Sequence, residues 1–214
     1  MGLSKGRRMP IHVVEHPLAR HLLVLLRDRR TQPDAFRQYS MRLTTLLAFE
    51  ATHGLETTEV RVETPLCETT GQILRRPIAV VPILRAGLGM LEAIADLFPE
   101  VSVGYIGLER DERTAVANHY YCKLPNLEGK AVLLCDPMLA TGGSACQAVR
   151  LLQDAGAASV RMLCVVAAPQ GVERLLTDWP EVEIFTASLD EGLDERKYIV
   201  PGLGDFGDRL YGTM

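Results

Sequence analysis

An acid followed by small, hydroxyl-bearing residues and two glycines is the most chemically loaded stretch of this chain: Asp136-Pro137-Met138-Leu139-Ala140-Thr141-Gly142-Gly143-Ser144. Ala131 to Cys135, just before it, is a continuous apolar run, which predicts a strand buried on both faces. From Ala145 onward Val149, Leu151 and Leu152 put one apolar face on a segment that ends near Gly156, which predicts a helix. A strand–loop–helix of this kind gathers unpartnered N–H groups and the positive end of a helix dipole at one point, which suits phosphate. The loop is not a P-loop, because Gly143 is followed by Ser144-Ala145 and no lysine reaches the phosphates. Nor does it carry the dinucleotide fingerprint of spaced glycines. On residue types alone, an ordinary turn of small residues stays open as an alternative.

Two arginines stand at similar places. Arg85 closes the apolar run Ile78 to Leu84 and opens the turn Ala86-Gly87-Leu88-Gly89, with a helix predicted over Met90 to Phe98. A guanidinium offers an anion a planar fork of donors, and the flanking glycines argue for close backbone approach to a ligand. Pro82 inside that run predicts a kink or an interrupted ladder. Arg110 follows the strand predicted over Val101 to Leu108 and leads into a charged, turn-rich segment reaching Asn118. A further strand is expected from His119 to Leu124. The other informative stretch is Tyr198 to Arg209, where Pro201, Gly202, Gly204 and Gly207 predict an irregular segment that exposes its own backbone. A glycine-rich loop without a ligand is the plainer alternative there.

These residues need a scaffold, and the pattern supplies one. Strands alternate with helices at βα spacing: after the central loop come a strand over Val160 to Ala168, a helix over Pro169 to Thr177 and a strand over Val182 to Ala187. The expectation is a single α/β domain over 1–214, with a parallel core sheet flanked by helices. Such sheets bind ligands at the carboxyl ends of their strands, so Arg85, Arg110 and Asp136 are expected at one crevice. Residues 1–10 are read as a mobile, solvated tail and 11–57 as an N-terminal helical arm suited to dimerisation. Within the arm Leu18, Leu22, Leu25 and Leu26 mark one apolar face, and Phe36, Tyr39, Leu43, Leu46, Leu47 and Phe49 mark another. Thr58 to Glu63 alternates as a half-exposed strand does, and 66–76 gives no signal.

Of 214 residues 47% are hydrophobic, enough for a substantial core. The net charge of −4 gives no global attraction to nucleic acid or an anionic membrane, so an anionic substrate needs a local site. No apolar run reaches the roughly 18–20 residues of a membrane span. The start has no signal-peptide core, and Gly6 breaks the myristoylation pattern. The 5 cysteines include no C-x-x-C pair, and Cys135, Cys146 and Cys164 are expected as buried thiols of a cytoplasmic protein.

DPMLATGGS resembles the phosphoribosyl diphosphate (PRPP) signature of the type I phosphoribosyltransferases, in the form seen in their uracil phosphoribosyltransferase branch. Arg85 and its glycine turn resemble the pyrophosphate-binding loop of that family, and Arg110 its second PRPP arginine. The charged hairpin resembles its closing loop. Tyr120-Tyr121-Cys122-Lys123-Leu124 resembles its Tyr-Tyr-x-Lys-Leu, with Lys123 a candidate diphosphate contact whose role the sequence does not decide. YIVPGLGDFGD resembles its uracil-binding hood, placed over 190–214. The resemblance runs from about Ile11 to the C-terminus.

It implies that uracil and PRPP give UMP and pyrophosphate, in pyrimidine salvage. PRPP would lie on Arg85, Arg110, Asp205 and the run Asp136, Pro137, Met138, Leu139, Ala140, Thr141, Gly142, Gly143 and Ser144. Uracil would lie on Ile199, Gly204, Asp205 and Phe206. Arg85, Arg110, Asp136 and Asp205 are the catalytic set. Mg²⁺ is the implied cofactor, held mainly by PRPP and water with no direct protein ligand. A homodimer or larger homo-oligomer is implied, with GTP a candidate effector that no residue here decides. Uracil presents two carbonyls flanking one N–H, a pattern exposed main chain can complement, whereas the exocyclic amine of cytosine would face a donor with a donor.

The family often carries two adjacent acids in its signature, whereas Asp136 is followed by Pro137, as in the uracil branch. Phe206 stands where a small residue is common. Two other classes remain from sequence: a uracil-handling RNA-binding regulator on the same fold, opposed by the acidic net charge, and a non-catalytic paralogue, opposed by intact Arg85, Asp136, Thr141 and Asp205.

Overall fold

The computed structural model describes residues 10–110 and 117–213, and at 109, 110 and 117–119 the backbone alone. Ile11–Val13 is a short strand (β1), followed by helices Pro17–Arg27 (α1) and Pro33–Thr52 (α2). Both begin on proline, where the absent N–H would have had no helical partner anyway. Thr57–Glu63 (β2) and Glu68–Leu74 (β3) pair as an antiparallel hairpin, so the silent segment after 66 is the return strand. The core follows as Ile78–Leu84 (β4), Leu88–Leu97 (α3), Ser102–Val103 (β5), Tyr105–Arg110 (β6) and Ala117–Lys123 (β7). Then come Ala131–Cys135 (β8), Met138–Leu139 (β9), Gly143–Asp154 (α4), Ser159–Ala167 (β10), Pro169–Asp178 (α5) and Glu183–Leu189 (β11). The chain ends with Gly192–Leu193 (β12), Ile199–Val200 (β13) and Phe206–Tyr211 (α6).

The main sheet runs β1-β11-β10-β8-β4-β6-β7, with β5 beside β4 and β9 beside β10. Its pairings are parallel except for β6 with β7. Strand β8 is central, and all of its residues are buried, as an unbroken apolar run should be when helices cover both faces. Alternate residues divide between two cores. Leu133 and Cys135 face the side covered by α1, α2, α3 and α6, while Val132 and Leu134 face α4 and α5.

Helices α1 and α2, expected as an arm, form the wall of the first core. Leu22, Leu26, Phe36, Leu43 and Leu47 are all buried in it. The buried stripe of α1 is Ala19, Leu22, Leu23 and Leu26, and Leu18 is exposed; on α2, Phe49 is exposed. Pro82 is accommodated without a break in β4. It lies opposite the gap where the neighbouring strand changes from β5, paired at Ala79 and Val80, to β6, paired at Ile83 and Leu84. On the other edge β4 pairs with β8 through Pro82 itself. Of the tail expected over 1–10, all but Pro10 lies outside the described residues, as does the tip of the charged hairpin, 111–116.

Candidate active site

Three neighbouring strands end together. β10, β8, β4 and β6 are consecutive in the sheet, so Asp136 after β8, Arg85 after β4 and Arg110 at the end of β6 share one edge. For Arg110 this is a statement of backbone position alone. Arg85 is exposed, its preceding peptide is cis, and its carbonyl accepts from the Tyr211 hydroxyl at 3.3 Å.

The glycines beside Arg85 have a packing role that the sequence did not show. A side chain on Gly87 would meet the Cys135 carbonyl at 2.4 Å, and one on Gly89 would meet Leu210 Cδ2 at 2.6 Å. Their smallness lets the turn press on β8 and α6. Lys123 is corrected. It pairs with Tyr105, at the start of β6, whereas Arg110 closes that strand. With about 3.4 Å of rise per residue in antiparallel pairing, Lys123 lies far from the edge where the site forms.

Beyond Asp136 the chain makes two bonds of β9 with β10 and then turns through Gly142, whose φ of 76° suits glycine. A Cβ there would lie 2.8 Å from the Gly171 carbonyl, so the turn is also packed tightly against α5. The first acceptor of α4 is the Gly142 carbonyl, taken by Cys146 N–H at 2.9 Å. The N–H groups of Gly143, Ser144 and Ala145 therefore precede any intrahelical partner and point out of the helix end. A concavity of about 40 Å³ lies there, lined by Asp136 and every residue from Met138 to Ala145. Of the expected PRPP run only Pro137 is missing from this lining, since it is buried beneath.

Asp136, Met138 and Ala140 also line a second, larger cavity of about 400 Å³. Its far wall is Ile199, Gly204, Asp205 and Phe206, the residues expected for a planar base, together with Gly207, and Ala86 completes it from the Arg85 turn. Burial pushes the Asp136 carboxyl up to about 6, against a Met138 N–H that donates to it at 3.2 Å and pulls it down. Asp205 is the N-cap of α6, accepting from Asp208 N–H at 2.9 Å.

Three lining residues were not foreseen: Arg196, Lys197 and Tyr198. They belong to a turn organised by Asp194, whose Oδ1 accepts from Arg196 N–H at 2.9 Å and Tyr198 N–H at 2.8 Å. Lys197 adopts φ 68° there, a left-handed conformation that its residue type does not advertise. Phe206 is among the lining residues, and its ring is buried edge-on against Phe36 with centroids 5.1 Å apart.

A model of the uracil phosphoribosyltransferase family matches residues 13–213. Proteins named uracil phosphoribosyltransferase from Clostridium botulinum and Clostridium tetani are 48% identical over 202 residues, covering 94% of this chain and 97% of theirs. Among solved structures, the AQ2163 protein from Aquifex aeolicus superposes with a TM-score of 0.90 at 39% identity, covering 94% of this chain and 97% of that one. A Mycobacterium tuberculosis orotate phosphoribosyltransferase, solved with PRPP, shares the fold with a TM-score of 0.50 at 17% identity, covering 82% of this chain and 93% of that one.

Proposed function

The chain belongs to the uracil phosphoribosyltransferase family, and from that membership we propose that it joins uracil N1 to C1 of PRPP, releasing pyrophosphate and forming UMP. The observation that carries this reading is the shared floor of two cavities. One is floored by a helix N-terminus and hydroxyls fit for a phosphate. The other is walled by Ile199, Gly204, Asp205 and Phe206, whose main chain suits a planar base. Asp136, Met138 and Ala140 belong to both. A ribose bridging the two compartments would pass over the Asp136 carboxylate, which can accept hydrogen bonds from its hydroxyls.

In this reading the segment Ala140 to Ser144 holds the 5′-phosphate, with Thr141 and Ser144 adding hydroxyl donors. Arg85 and Arg110, at neighbouring strand ends, meet the diphosphate, whose charge grows as it leaves C1. Ile199, Gly204 and Phe206 address uracil through their main chain, and Asp205 stands between base and sugar. The ribose passes through an oxocarbenium-like state, so the chain's contribution is to align the reactants and stabilise charge.

Mg²⁺ belongs to this proposal as a partner of the substrate. Among the described residues no group of three or more His, Cys, Asp or Glu could hold a metal ion. Asp136 and Asp205 are the carboxylates that line the cavity, and they suit hydrogen bonds from water on an ion carried by the diphosphate. The ion would supply charge neutralisation on the leaving group. No helix among the described residues is long and apolar enough to cross a membrane.

The test is a spectroscopic assay of nucleotide formation from PRPP against a panel of free bases. Uracil is expected to be consumed and cytosine refused. Arg85→Ala and Asp136→Asn should each lower turnover by roughly 100-fold or more, the scale of losing a group that meets developing charge, while circular dichroism stays native. Unchanged turnover in either folded variant would remove that residue from the site.

A further inference from the structure

Ile199, Gly204 and Asp205 line the cavity, and their backbone conformation has to be held by something. Gly202 lies between two lining residues, Ile199 and Gly204, in a turn so tight that a Cβ on it would come within 2.1 Å of the Ile199 carbonyl. Its N–H donates to Asp190 Oδ2 at 2.9 Å, and its carbonyl accepts from Arg27 Nη1 at 3.0 Å. The same two side chains are joined to each other. Arg27 Nη1 donates to Asp190 Oδ2 at 2.9 Å and Nη2 to Asp190 Oδ1 at 2.6 Å. Ser188 lies within this network, its hydroxyl donating to Asp190 Oδ1 at 2.6 Å and accepting from Arg27 Nη2 at 3.1 Å.

We propose that Arg27 and Asp190 are positioning residues for base binding: their bidentate ion pair grips Gly202 at its N–H and at its carbonyl, on the two peptides that flank its Cα, and so fixes the main chain that meets uracil. The inference rests on the reading of that segment as the base reader. Neither residue lines the cavity, and none of their hydrogen bonds reaches the phosphate loop. Of the residues they bond, Gly202 is the one that lies between cavity-lining positions.

Burial and geometry favour a fixed part over a surface ion pair. The Asp190 side chain is 1% exposed and that of Arg27 22%, so solvent screens the pair weakly and the fork geometry is retained. Burial by itself would raise the Asp190 pKa, yet Arg27, Ser188 and the Gly202 N–H outweigh it and hold the carboxyl below its ordinary range. The hood answers the grip in kind. Arg209 of α6 donates to the Leu26 and Asp28 carbonyls at the end of α1 and to Leu203 within the hood. Cations are favoured at a helix C-terminus. Helix α1 therefore lends an arginine to the hood and receives one from it, and the base wall is set by an element that no ligand touches.

The experiment measures each substrate separately in Arg27→Gln, Arg27→Lys and Asp190→Asn. A loosened Gly202 turn should raise KM for uracil by about tenfold or more, because a displacement of roughly 1 Å is costly to an oriented contact. KM for PRPP should stay within about twofold of the parent, because the phosphate loop is untouched. Arg27→Lys keeps the charge without the fork, so it should fall between parent and Arg27→Gln. Calorimetry supplies a second reading: affinity for UMP should drop in the variants while affinity for ribose 5-phosphate holds. Equal losses for both ligands, or a parental KM for uracil in folded Arg27→Gln, would overturn the proposal. Should Arg27→Gln not fold, Arg27→Lys decides by the same split. A parent enzyme that ignores uracil and takes another base would instead overturn the proposed function, so the two failures are told apart.

Discussion

Asp136 illustrates the tension between stability and function at a single carboxylate. It stands at the end of the buried strand β8, and burial pushes its pKa up from 3.8 to about 6. Its folded pKa thus lies above its unfolded one. Its contribution to stability is fully present below about pH 4 and is lost as the pH rises through about 6, when the folded protein must ionise a buried acid. At about 1.4 kcal/mol per pKa unit the whole effect is up to about 3 kcal/mol. Asp136→Asn should therefore stabilise the ligand-free protein against urea by up to about 3 kcal/mol at pH 8 and by almost nothing at pH 4. The asparagine Oδ1 still accepts the Met138 N–H, so the comparison isolates the charge. A stability difference independent of pH would show that Asp136 is solvated in the folded state. The position of this residue was legible because an unbroken apolar run that ends on an acid and then on small residues has few other meanings. The role of the Arg85 glycines was not, since glycine marks a close approach without saying to what. Cys135, Ile83 and Leu210 proved to be the neighbours.

At the level of elements, the hood was legible as a glycine-rich turn, but what holds it was not. Arg27, Ser188, Asp190 and Gly202 are spread over 175 positions of sequence separation, and no local pattern connects them. The same holds for Arg196, Lys197 and Tyr198, which reach the cavity because the Asp194 carboxylate folds their turn. The N-terminal helices were recognised by their apolar spacing; periodicity gives a face but not what covers it, and the face turned out to be one wall of the core. Phe206 lies where α6 meets that wall. Its ring packs on Phe36 and lies 3.3 Å from the Cβ position that a side chain on Gly89 would take, and the proposed function has its main chain address the base. These two duties separate in a mutant. Phe206→Ala should cost about 3–5 kcal/mol in thermal or urea unfolding, the range for emptying a buried aromatic site. KM for uracil should change by less than about threefold, because the main chain stays anchored through Gly202 and Arg209. A large rise in KM with little loss of stability would mean that the ring itself meets the base.

The whole molecule leaves one part without support of its own. β2 and β3 form a separate two-stranded sheet, and a two-stranded ribbon is marginally stable alone. Pairing of Thr58 with Ile73, Val60 with Gly71 and Val62 with Thr69 puts these side chains on one face. Glu59, Arg61, Glu63, Glu68 and Gln72 take the other, together with Thr57, Thr70 and Leu74. The uncharged face is nonetheless open: Ile73 is 52% and Val62 46% exposed. At the foot of the hairpin, Ile73 to Ile78 and Leu97 to Val101 enclose a cleft of about 760 Å³, on the side of the sheet where β4 begins. An uncharged strand face left this open among the described residues suits a partner, and a second copy of the chain would supply one by symmetry. We propose this hairpin as the contact of the homo-oligomer expected from sequence; the buried stripes of α1 and α2 are spent in the core, while Val24 and Phe49 on those helices stay exposed as the rival surface. In sedimentation velocity the parent should travel as a dimer or larger species. Val62→Glu combined with Ile73→Glu should shift it to the monomer with its secondary structure intact, since both side chains are already about half exposed to water. A parent that sediments as a monomer at micromolar concentration, or a double variant that still associates, would place the contact elsewhere.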